Sequence, residues 1–87
     1  MKIGLGLIKQ TIPELTWEIE NENRAVAKSG ILKFYITTFG RQFEISIFDT
    51  VIGRNIFVLM NSELEHVLNI LKLHCQKLSE SLVVFRA

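Results

Sequence analysis

The stretch FYITTFGRQFEISIF, Phe34 to Phe48, constrains this chain more than any other. Two runs of alternating apolar and polar residues meet at Gly40-Arg41, and a Gly-X pair between such runs suits a two-residue type II′ hairpin turn. With the turn there, Phe39 faces Gln42, Thr38 faces Phe43, Ile36 faces Ile45 and Phe34 faces Ile47. Directly opposed residues share a face of the sheet. One face is then Leu32, Phe34, Ile36, Phe43, Ile45 and Ile47, apolar apart from Thr38 at its end, and is predicted to be core. A slip of one residue would turn this whole set to water, so a buried face specifies the register strongly.

The opposite face collects Lys33, Tyr35, Thr37, Phe39, Gln42, Glu44, Ser46 and Phe48. Rings on a face that should meet water need a reason, and two readings supply one. Rings interleaved with cations on an open sheet stack the bases of a single-stranded nucleic acid while the cations follow its phosphates, at roughly 1 to 3 kcal/mol per stacked base. Alternatively the N-terminal segment or a second subunit covers the rings.

Charge is unevenly placed. Lys2 and Lys9 stand against Glu14, Glu18, Glu20 and Glu22 in the first part of the chain, whereas Arg24, Lys28, Lys33, Arg41 and Arg54 stand against Glu44 and Asp49 in the hairpin region. The basic excess therefore sits on the expected sheet, as an anion-binding surface requires. At 87 residues the chain is read as a single domain, 1–87, with a modest core. A hydrophobic content of 48% is rich for so small a monomer and favours an oligomer. The single Cys75 makes no internal disulfide and fits a reducing compartment, and Ile3 to Ile8 is too short to span a bilayer and lacks a cleavage site. The expectation is a soluble intracellular protein of cytoplasm, nucleus or a viral host interior, not a secreted one.

Along the chain, residues 1–13 read as an N-terminal arm or extra strand, because Ile3, Leu5 and Leu7 alternate with Gly4 and Gly6 before Pro13. Residues 15–60 read as an antiparallel sheet: Leu15, Trp17 and Ile19 alternate with an acidic outer face, Asn21 to Asn23 turns the chain, and a short strand at Ala25 to Lys28 closes at Ser29-Gly30. The hairpin follows, then a loop at Asp49 to Gly53 and a strand from Arg54 to Met60. Ser62-Glu63-Leu64-Glu65 fits a capping box opening a helix over 62–80. Its stripe is Leu64, Val67, Leu68, Leu71, Cys75 and Leu78, and Ile70 and Leu73 add apolar surface beyond one sheet face. That surplus predicts a dimer through the helices, with Val67, Ile70, Leu71, Leu73 and His74 at the contact. The tail 81–87 holds a short apolar run, Leu82 to Phe85, read as a further strand or an interface segment.

Catalytic and metal signatures are not assembled. Gly4-Leu5-Gly6-Leu7-Ile8-Lys9 begins like a dinucleotide fingerprint but carries Lys9 at the third glycine position. His66 and His74 lie eight apart, at no zinc spacing with Cys75, so neither metal nor cofactor is expected. His74 and Cys75 point about 100° apart on a helix, which prevents a nucleophile-base pair. Cys75 reads as a small buried hydrophobe. A non-catalytic protein is expected.

The segments YITTFGRQFEISI (35–47), GRNIFVLMNSELEHVL (53–68) and, more loosely, WEIENENRAVAKS (17–29) together resemble the positive cofactor 4 family of transcriptional coactivators, related to the Whirly single-stranded DNA binders. The resemblance implies an α+β fold: a curved antiparallel sheet of about four strands, then one long C-terminal helix, dimerised through the helices, with single strands lying over the sheet. It places Lys33, Phe39 and Arg41 at basic and aromatic contacts and Arg54 on the approach to the last strand, and it favours DNA over RNA only by analogy. Near-neutral overall charge, Glu44 on the binding face, and the N-terminal arm and Leu82–Phe85 tail depart from the family pattern. Combined with the hairpin reading, the expected nucleic-acid contacts are Lys28, Lys33, Tyr35, Phe39, Arg41, Phe48 and Arg54. The expected role is a homodimeric single-stranded nucleic acid binder acting in transcription, replication or recombination. The alternative is a protein-interaction or structural homodimerisation module with the outer sheet face covered.

Overall fold

A computed structural model describes the backbone of residues 4–86 and side-chain surroundings through Lys77. The chain runs α1 (Leu5–Thr11), β1 (Trp17–Asn21), β2 (Arg24–Ser29), β3 (Leu32–Phe39), β4 (Gln42–Asp49), β5 (Arg54–Asn61) and α2 (Leu64–Arg86). All five strands pair antiparallel in one open sheet whose spatial order equals their sequence order. The fold is α+β, a sheet followed by a C-terminal helix. The sheet has five strands because β2, small-residue-rich and weak by propensity, pairs along its whole length with β3 from Arg24↔Thr37 to Ser29↔Leu32.

The central hairpin has the register its sequence implies: Phe34↔Ile47, Ile36↔Ile45, Thr38↔Phe43 and Phe39↔Gln42. Gly40 takes φ +56° while Arg41, like every described non-glycine residue, keeps φ negative, as a type II′ turn requires. Leu32, Phe34, Ile36, Phe43, Ile45 and Ile47 are all buried. Around them pack Trp17, Ala25 and Ala27 from β1 and β2, and the half-buried Phe57 and Leu59 from β5. The β4–β5 loop is held by the Asp49 carboxylate, which accepts from the Val51 and Ile52 amides at 2.8 and 3.1 Å, and by Thr50, whose amide and hydroxyl both donate to the Ile31 carbonyl.

Helical residues complete this core. Val67, Leu68, Leu71 and Cys75 of α2 are buried in it, and Leu64 and Ile70 pack at its margin. Val67 and Leu71, expected at a contact between copies, are thus consumed by the core of their own chain, where they are as fully buried as Leu68. Leu73 remains 58% exposed, and His74 packs its ring on Phe57 at 4.0 Å. The surroundings of Leu78 lie outside the described side chains.

Three boundaries differ from the sequence reading. The segment after Gly4 is a helix, not an arm or strand: Leu5, Ile8 and Ile12 recur at helical spacing, and Ile8 and Ile12 are fully buried among the core residues. Pro13 follows as a stop after the C-cap at Ile12. The reading of Ile3 lies outside the described residues. At the other end α2 continues through 82–85, so the expected tail strand is helix. Between them, the expected cap moves on by one residue. Asn61 Oδ1 accepts from the Glu63 amide at 2.9 Å, and the Glu63 carbonyl takes the first helical bond, from Val67. None of the described helices is long and apolar enough to cross a membrane.

Candidate nucleic-acid interface

Both helices contribute to the core on one face of the sheet, so the other face is open, and the strand register sorts its side chains into transverse rows. At one end Lys28 lies directly opposite Lys33, which lies opposite Phe48, which lies opposite Asn55. Across the middle run Glu18, Val26, Tyr35, Ser46 and Val58, and beyond them Arg24, Thr37, Glu44 and Met60. Phe39 and Gln42 close the far end beside the hairpin tip at Arg41. Helix α1 does not cover this face, since Ile8 and Ile12 lie in the core on the opposite one.

Of the seven expected contacts, four come together: Lys28, Lys33 and Phe48 form one row, and Tyr35 sits beside it. Phe39, 51% exposed, and Arg41 are placed at the opposite end. Lys33 and Phe39 are six residue steps apart on the strand, a span of about 20 Å. Arg54 pairs with Asp49, whose other neighbour is Leu32 of the core face, so its register puts it at the sheet's end and off the open face.

Electrostatically the rows are unequal. Arg24 is occupied: its guanidinium lies 5.1 Å above the Tyr35 ring, its Nε donates to Thr37 Oγ1 at 3.1 Å, and it stands 3.9 Å from the Glu20 carboxylate. This packing leaves Tyr35 half-buried and Thr37 buried, and Ser46, directly opposite Tyr35 across β3–β4, is buried as well. Lys28 and Lys33, by contrast, have no carboxylate within 4 Å among the described residues. Two cations directly opposed across a strand pair repel, which costs the sheet stability unless an anion lies over both. Beside Lys28 a shallow depression of about 240 Å³ is lined by Thr16, Glu18, Val26 and Ala27.

Comparison of the chain with protein-family models, with curated proteins and with solved structures finds no match in any of the three. These comparisons therefore add nothing to the functional reading, which is argued from this face and from the resemblance of the segments given above.

Two features were missed from sequence. The place of Arg24 over Tyr35 could have been found by treating Gly30-Ile31 as a second Gly-X turn, which sets Arg24 opposite Thr37. Carrying the register into β5 would have put Ile56, Val58 and Met60 on the open face, where they are exposed.

Proposed function

We propose that the open face of the sheet binds single-stranded nucleic acid without catalysis, with DNA the favoured ligand by the family resemblance. The observation that carries this reading is the opposed pair Lys28 and Lys33, unneutralised and flanked by the Phe48 ring. A phosphate over the two ammonium groups relieves their repulsion, and a base over Phe48 gains stacking. Tyr35 plays a lesser part than its sequence position implied, because Arg24 already occupies one face of its ring. A strand continuing along β3 would reach Phe39 and Arg41 at the hairpin tip.

Titration of a fluorescent single-stranded oligonucleotide at several salt concentrations tests the reading. Affinity is expected to fall as log salt rises, and Lys28→Gln or Lys33→Gln should each remove about one phosphate contact from the slope. Binding that is absent, or indifferent to salt and to both lysines, rejects it. The competing reading, a protein-interaction module, draws on Ile56, Val58 and Met60 and predicts an association that salt barely changes.

A further inference from the structure

The two edges of the sheet are built differently. Edge β1 is five residues long, carries Glu18 and Glu20, and has an irregular register between Ile19 and Asn21. Such devices keep an edge from recruiting another strand. Edge β5 is eight residues long and weakly guarded: its register with β4 is irregular at Ile56, near one end, and beyond the terminal Arg54 it contains no charge, no proline and no glycine. Apolar surface gathers along it. Five of the ten large exposed apolar side chains among the described residues lie between Val51 and Met60. Ile56, Val58 and Met60 are 45%, 51% and 45% exposed on one face of the strand, and Phe57 and Leu59 are only half-buried on the other. The flank of α2 above β5 is apolar too. His74 touches Phe57, Ile70 lies one turn before it on the same side, and Leu73 adjoins Ile70.

We propose that β5 pairs antiparallel with β5 of a second copy of this chain, about a two-fold axis at Val58, joining two sheets into one of ten strands. The strand's own sequence argues for this occupant. With Val58 opposite itself, Ile56 faces Met60 and Phe57 faces Leu59, so from Ile56 to Met60 every apolar residue meets an apolar one, and the irregularity at Ile56 bounds the paired stretch. Arg54 lies outside this stretch, so the pairing does not oppose it to a second Arg54. A head-to-tail contact would instead set β5 against the short acidic β1 and propagate without closing, whereas the two-fold contact uses the same surface twice and closes. The open faces of both copies stay on one side, so the pairing is independent of whether that face binds nucleic acid.

Sedimentation equilibrium across the micromolar range is the first measurement. The wild-type chain, 10.0 kDa as a monomer, should approach twice that mass. Val58→Lys puts two ammonium groups opposite each other at the axis and should raise the dissociation midpoint by at least about tenfold. Ile19→Lys, exposed on the opposite edge strand β1, should leave it unchanged. Because a lysine could weaken the sheet itself, Val58→Cys provides a second readout: mild oxidation should give a covalent dimer in high yield, while the wild-type chain, whose Cys75 is buried, stays uncrosslinked. A monomer at every concentration, assembly beyond a dimer, or a dimer that ignores Val58→Lys and gives no crosslink in the Val58→Cys variant overturns the proposal.

Discussion

Truncating two phenylalanines of the same strand should separate packing from recognition. Phe34 is 3% exposed at the centre of the core face, and Phe39 is 51% exposed at the far end of the open face. Phe34→Ala removes a ring wedged against Ile47 and Ala27, its cross-strand partners, and should cost about 3 to 5 kcal/mol, transfer and cavity terms together. A chain of this size has a total stability of roughly 4 to 13 kcal/mol, so the variant should be largely unfolded at modest urea. Phe39→Ala loses contacts on one side of a ring already half in water and should cost under about 1 kcal/mol. Urea titration followed by Trp17 fluorescence measures both, since this lone tryptophan is buried and its Nε1 donates to the Ile12 carbonyl at 3.3 Å. The same two proteins go into the oligonucleotide titration, where Phe39→Ala should weaken binding by roughly 1 to 3 kcal/mol if a base reaches the tip. A Phe39→Ala protein destabilised as much as Phe34→Ala would refute the assignment of faces.

Other expectations follow from single contacts. Deleting residues 1–13 removes Ile8 and Ile12 from the core and uncovers Trp17, so the shortened chain should lose several kcal/mol in the same urea assay, where a mere arm would cost nothing. Gly40→Ala meets no atom within 4 Å, so its cost is the backbone's alone, about 1 to 2 kcal/mol for an L-residue at positive φ. Burial first, and Glu14 second, push the Cys75 thiol up to about 11, so the folded state favours the protonated form. That contribution is complete below the ordinary thiol value of 9.0 and is lost as pH rises through about 11. Cys75→Ala should flatten the fall in stability across this window, and the native thiol should react with iodoacetamide far more slowly than in urea.

The hairpin from Leu32 to Asp49 was legible in full because three signals agree there: alternation, a Gly-X turn, and an apolar set that only one register buries. Where the signals conflicted, reading failed. Gly4 and Gly6 made Leu5 and Leu7 look like alternation, although Leu5, Ile8 and Ile12 carry the helical period that places them under β1 and α2. On α2 the apolar surplus of Ile70 and Leu73 was legible, but the full burial of Val67 and Leu71 beside them was not. Val67 and Leu71 lie in the core with Leu68, while Ile70 packs at its margin and Leu73 is exposed, next to the helix face where His74 meets Phe57. The candidate interface was half legible for a similar reason: period-two alternation gives the face of each residue, while the row it joins depends on turns in β1–β2 and β4–β5 that composition marks only loosely.

Strand order equal to sequence order also governs how the molecule comes together in time. Each new strand needs to find only the one made just before it, so the sheet can be laid down as successive local hairpins with little loop entropy to overcome. The covering of that sheet is not local at all. During synthesis all five strands emerge before α2, so the nascent sheet presents Phe34, Ile36, Ile45 and Ile47 with only the two turns of α1 to shield them. A chaperone holding the hairpin, or a translational pause before Leu64, would therefore act on the interval in which this protein is most prone to aggregate.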